Sequence, residues 1–185
     1  MAVMTLEQKT ILTSTYTELY RDLVMVATLG QVEEASVWYH DAAEVARLVQ
    51  TNMGIDLESA SSVVSSFSPR EKWAVNVRKA IAFSLGQEVL GLSNNLLMAN
   101  NSLKKGFSAL NGQKTNAFAK AIAGDTDAVV IDTWMLKAAQ VSFTSPSQSQ
   151  YNAMATAVRN VATEFGLTPR TTQALIWIVK RGSAS

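Results

Sequence analysis

The stretch LNGQKTNAFAKAIAGDTDAVVIDTW, residues 110–134, reads as a turn, a helix, a short apolar run and an aspartate that opens another helix. An acid at position 132 is well placed there. The first turn of a helix presents free N–H groups and the positive end of the helix dipole. Aspartate is also a leading N-cap residue, so a purely structural role for Asp132 stands beside any chemical one.

Outward from this stretch the helical pattern continues. Leu12, Tyr16, Leu19, Leu23 and Val26 recur near helical spacing over residues 5–28, with Gly30 just past the end. A second helix is expected from about Asp41 to a stop at Gly54. A third follows the cap Asp56 and carries Leu57, Ala60, Val63, Val64 and Phe67. Ser68-Pro69-Arg70-Glu71 is the clearest local start signal: a capping serine, proline at the first helical position, and a glutamate able to reach back. The helix behind it carries Trp73, Val77, Ala80 and Ile81 and ends near Gly86. Further helices are expected over residues 94–108, 113–123, from Asp132, over 151–165 after a Ser/Pro/Gln-rich loop, and from Thr168-Pro169 onward. Only Ala128 to Ile131 has strand character. The expected fold class is all-α, as a single domain over residues 1–185 or as two closely packed helical lobes.

Composition narrows the chemistry. Hydrophobic residues make up 48% of 185 residues, enough for a real core and against disorder. No apolar run reaches the roughly 20 residues of a membrane span. Met1 to Thr10 lacks an apolar signal core, so a cytoplasmic protein with no membrane partner is expected. There is no cysteine, which excludes disulfides, cysteine-held iron–sulfur clusters and thiolate zinc sites. His40 is the only histidine, so neither a histidine metal site nor a Ser-His-Asp triad is expected, and no cofactor. Net charge is +1, unevenly spread. Residues 1–60 hold three basic and nine acidic residues, a balance of −6; residues 61–185 hold thirteen and six, +7. Such asymmetry can give one face that attracts an anion such as nucleic acid, or simply a dipolar surface.

The block Gly112-Gln113-Lys114-Thr115 and Ile131-Asp132-Thr133, with 18 residues from lysine to aspartate, resembles the helix-hairpin-helix DNA glycosylase superfamily. In that family a hairpin ends in Gly-x-Lys-Thr, a helix follows, and a small apolar run ends in Val-Asp-Thr, at the interval seen in endonuclease-III-like members. The motif region spans residues 104–140. A closer likeness is to small uncharacterised proteins common in phages and some bacteria. It is carried by Trp38-Tyr39, Phe67-Ser68-Pro69 with Trp73 and Asn76, the Lys114 to Asp132 block with Trp134, and Gln173 with Trp177. The resemblance implies DNA as partner, Asp132 as catalytic carboxylate, and Lys114 where bifunctional members keep their Schiff-base lysine. Related phage enzymes imply processing of modified thymines as a second chemistry. Two departures stand out. The usual Leu-Pro-Gly-Val-Gly hairpin is here Ala109-Leu110-Asn111-Gly112-Gln113, with one glycine. Trp134 stands where many members have histidine.

These residue types suit that chemistry. Breaking a base–sugar bond builds positive charge on the sugar, which a carboxylate stabilises. A lysine amine can attack the sugar carbon. An extruded base stacks on an aromatic wall, for which Trp38, Tyr39, Trp73, Trp134 and Trp177 are candidates, as they are for the core. Asn76, Gln113 and Gln173 are amides able to read a base edge. Thr115 belongs to the same block. Arg70, Lys72, Arg78 and Lys79 form either a phosphate-binding cluster or a solvated helix face. His40 is expected at a helix entry or in the core, with a substrate contact as the alternative. Three readings stay open: a glycosylase-like enzyme, a non-catalytic DNA- or nucleotide-binding module of the same fold, and a protein–protein adaptor.

Overall fold

The computed structural model describes residues 4–91 and 93–183, so the reading of Met1 to Thr10 lies partly outside the described residues. Among the described residues every regular element is helical, and the protein is all-α. The helices are α1 (Leu6–Met25), α2 (Leu29–Met53), α3 (Leu57–Ser66), α4 (Trp73–Ser84), α5 (Ser93–Lys105), α6 (Gln113–Ala123), α7 (Thr133–Ala138), α8 (Gln148–Phe165) and α9 (Pro169–Arg181). A 3-10 turn, Gly106–Ala109, follows α5. No helix among these residues is long and apolar enough to cross a membrane.

Most starts follow from side-chain caps. Thr5 with Gln8 and Ser147 with Gln150 form reciprocal capping boxes. Asp56 accepts from the Ser59 N–H at 2.7 Å, and Thr168 caps a helix whose first residue is Pro169. The same chemistry explains two early starts. Thr28 Oγ1 accepts from the Gln31 N–H at 3.3 Å while Gln31 Oε1 accepts from the Thr28 N–H at 3.0 Å. That box starts α2 at Leu29, twelve residues before the expected Asp41, and takes Gly30 into the first turn. Ser147 likewise starts α8 three residues before Tyr151.

One strong signal fails. Ser68 does not cap a helix. Arg70 takes a left-handed φ of +64°, which a right-handed helix cannot contain. The Glu71 carboxylate pairs with the Lys79 ammonium instead of reaching back, and α4 starts at Trp73 behind Lys72, with no side-chain cap.

Two compact units emerge. Residues 4–38 and 129–183 form the first, and residues 39–128 the second, with the first boundary inside α2. In the first unit α1 packs on α8 and α9, and α9 also packs on α7 and α8. Tyr20, Met135, Met154, Val158, Leu175, Ile176 and Ile178 are fully buried there. The strand-like run is irregular, because its polar groups are met by a phenol. Tyr151 Oη donates to the Val129 carbonyl at 2.8 Å and accepts from the Ile131 N–H at 3.3 Å.

In the second unit α3 is the centre, packed against α5, α6 and the 3-10 turn. All of Ser59 to Ser66 is buried. Its small side chains allow close approach, and their hydroxyls find carbonyls: Ser65 Oγ donates to Thr115 O at 2.7 Å, and Ser62 Oγ to Glu58 O at 2.8 Å. Gly106 is required here. Its φ is +51°, and a Cβ would stand 2.2 Å from Glu58 Oε1, the oxygen that accepts the Phe107 N–H.

The uneven charge of the sequence does not map onto the units. The first gathers the acidic N-terminal residues with basic C-terminal ones, seven of each sign, and the second holds nine basic and eight acidic residues.

Candidate functional site

Asp132 sits in the first unit as the N-cap of α7, half-buried, with extended backbone. Oδ1 accepts from the Trp134 N–H at 2.9 Å and the Met135 N–H at 3.0 Å. Oδ2 accepts from the indole Nε1–H of Trp177 at 2.9 Å. The carboxylate is therefore clamped by donors from α7 and α9. Three donors fix its orientation, and Oδ2 keeps one lone pair unused by them.

Aromatic rings surround the clamp. Trp177 meets Trp38 edge-on, with centroids 5.9 Å apart at 84°. The Arg181 guanidinium lies over Trp177 at 4.8 Å, and the Lys137 ammonium over Trp134 at 4.0 Å. Tyr20 Oη donates to the Met135 carbonyl at 3.2 Å. Burial raises the Tyr20 phenol well above its ordinary range, with the nearby Tyr16 and the charge of Asp132 acting in the same direction. Burial likewise pushes Tyr151 up to about 12. The hydrogen bond at the Ile131 backbone and the charge of Arg159 oppose that shift, and Asp132 adds to it. Neither tyrosine was expected from the sequence. Tyr20 lies 112 residues before Asp132, and no local pattern links them. Gln173, on α9, is buried in the same unit.

The other candidates belong to the second unit. Gly112 is the N-cap of α6 at φ −90°, a conformation open to any residue, so its place does not depend on glycine's freedom. Gln113 and Lys114 are half-buried in the first turn. The Lys114 ammonium makes no ion pair among the described residues. Thr115 is buried and its hydroxyl donates to the Gly112 carbonyl at 3.0 Å. Trp73 is half-buried and meets Phe118 edge-on at 6.1 Å, while Tyr39 is buried against the same ring at 6.3 Å. Asn76 is buried, and its Oδ1 has no hydrogen-bond partner. Of the four clustered cations, Lys79 is engaged by Glu71, while Arg70, Lys72 and Arg78 are exposed.

His40 is corrected. It lies in mid-helix, with 68% of its side chain exposed, 3.6 Å from Asp41 and 3.7 Å from Glu44. The early start of α2 makes it neither a helix entry nor a core residue. Among the described residues no group of three or more His, Cys, Asp or Glu side chains could hold a metal ion.

No curated protein and no solved structure matches the chain. Residues 3–184 match a family described as a family of unknown function (DUF7178), and the chain belongs to that family.

Proposed function

We propose that the protein binds DNA and acts on a base–sugar bond or a modified base in the manner of helix-hairpin-helix glycosylases, with Asp132 as the essential carboxylate. The observation that carries this reading is the clamp. Asp132 is half-buried, held by two backbone N–H groups and an indole, and walled by Trp177 with Trp38 edge-on to it. A fixed negative charge beside aromatic surface is what a cationic sugar and an extruded base require. In the proposed reaction the base leaves with the bonding electrons of its sugar link. Asp132 stabilises the sugar cation, water adds to the sugar carbon, and the proton that water loses passes to the departed base.

A second reading, a DNA-binding module without turnover, is favoured by the same hydrogen bonds, because both carboxylate oxygens already serve the fold. The two separate in one experiment. Wild type and Asp132→Asn are incubated with DNA carrying a panel of damaged and modified bases, and base release, base conversion and salt-dependent binding are recorded. The enzyme reading expects activity in wild type and a loss of about a hundredfold or more in the variant, with binding retained. Binding without activity in either protein selects the module. Absence of binding at low salt to single- and double-stranded DNA removes both.

A further inference from the structure

The second unit contains a cavity of about 540 Å³, within the size range of small-molecule sites. It lies between the Pro69-Arg70 turn, the first half of α5 and the segment Ala109 to Asn111. Its lining is chemically biased. Arg70 supplies one cation; Asn94, Asn95, Asn101 and Asn111 supply four amides; among the described lining residues none is acidic. Leu97 and Met98 add apolar surface.

Two features of this lining bear on what it can hold. Asn95 is only 4% exposed, yet its amide makes no hydrogen bond among the described residues. An amide at a cavity wall with no protein partner keeps a donor and an acceptor for a ligand. Arg70 is one of two non-glycine residues with positive φ among the described residues, at +64°. Backbone strain of this kind persists where surrounding structure enforces it, and it gathers at ligand sites. The strained residue puts a guanidinium at the cavity with no carboxylate on it, because the neighbouring Glu71 is taken by Lys79.

We infer that this cavity binds a nucleotide, with the guanidinium of Arg70 on the phosphate and the asparagine amides, Asn95 above all, on the edge of the base. Amides pair with base edges through one donor and one acceptor, and a guanidinium matches a phosphate in two-pronged fashion. Leu97 and Met98 offer apolar contact to the base. The ligand is either a free mononucleotide or a nucleotide of a DNA strand. The site lies wholly within the second unit and does not use Asp132, so it stands or fails apart from the glycosylase-like reading.

The test is calorimetric titration of the full chain with each deoxynucleoside 5′-monophosphate, with the matching nucleosides, and with a single-stranded twelve-residue oligonucleotide. Saturable binding of a monophosphate, at least tenfold tighter than its nucleoside, supports a free-nucleotide site. Binding of the oligonucleotide alone supports a strand site. In either case Asn95→Leu and Arg70→Gly each weaken binding at least tenfold. Arg70→Gly guards against misfolding, because glycine accepts the left-handed backbone. No binding of any probe to wild type, or binding unchanged in both variants, overturns the inference.

Discussion

Two segments of this chain carry similar start signals and meet different fates. Asp132 follows an apolar run and opens α7; Ser68 stands before Pro69 and a glutamate, yet opens nothing. At Asp132 the local cap agrees with a tertiary demand, since the Trp177 indole needs an acceptor and finds Oδ2. At Ser68 the two conflict. Arg70 turns left-handed, Glu71 goes to Lys79, and the serine hydroxyl is left buried without a hydrogen-bond partner. A capping pattern is thus a local offer, and it fails where the residues that follow the cap are drawn into other conformations and partners.

The largest expected effect comes from breaking the segment where the two demands agree. Asp132→Ala removes a cap and the acceptor of a half-buried indole, for a loss of about 3 kcal/mol in denaturant unfolding. Asp132→Asn is less severe but not neutral. One amide oxygen can serve the α7 N–H groups, but the amide nitrogen then faces the Trp177 N–H, donor against donor. A loss of about 1–2 kcal/mol is expected, and Trp177→Phe should recover most of it by removing the opposing donor. Strict additivity of the two substitutions would break this part of the comparison.

Alkaline pH weakens the first unit for a related reason. The phenols of Tyr20 and Tyr151 are raised in the folded state by burial. The unfolded chain therefore releases its protons first, from about pH 10. The stability these groups contribute is full below that pH and is lost as pH rises toward 12, at about 1.4 kcal/mol per pH unit for each group still protonated. Tyr151→Phe should flatten the fall seen in melting temperature between pH 9.5 and 11.5.

The failed start gives the smallest changes, and of opposite sign. Arg70→Gly relieves the left-handed strain and should stabilise by about 1 kcal/mol. Ser68→Ala removes an orphaned hydroxyl and should shift stability by less than about 0.5 kcal/mol, where a working cap would lose about 1. A clear loss at Ser68 would show that it does cap, and that the comparison is misdrawn.

Helix positions were legible because most caps are contained within four residues, as at Asp56, Asp132 and Thr168. The start of α2 was hidden by Gly30, whose helix cost of about 1 kcal/mol is offset by the Thr28–Gln31 box. Asp132 was legible as a residue, but its setting was not. Trp177 bonds to it from α9, and its charge helps raise the phenols of Tyr20 on α1 and Tyr151 on α8, yet no spacing rule connects them. The charge asymmetry was legible in the sequence but does not follow the units, since the first unit joins both ends of the chain and holds seven residues of each sign.

The central claim is that Asp132 serves chemistry as well as the fold, and stability changes must be kept out of its test. The direct measurement is therefore base release or conversion by Trp177→Phe compared with the same protein carrying Asp132→Asn, each checked for melting temperature. The phenylalanine background removes the donor that would oppose the asparagine amide, so the pair differs chiefly in one negative charge. The account predicts melting temperatures within a few degrees and a rate lower by about a hundredfold or more in the double variant. Equal, measurable rates in the two proteins would contradict it.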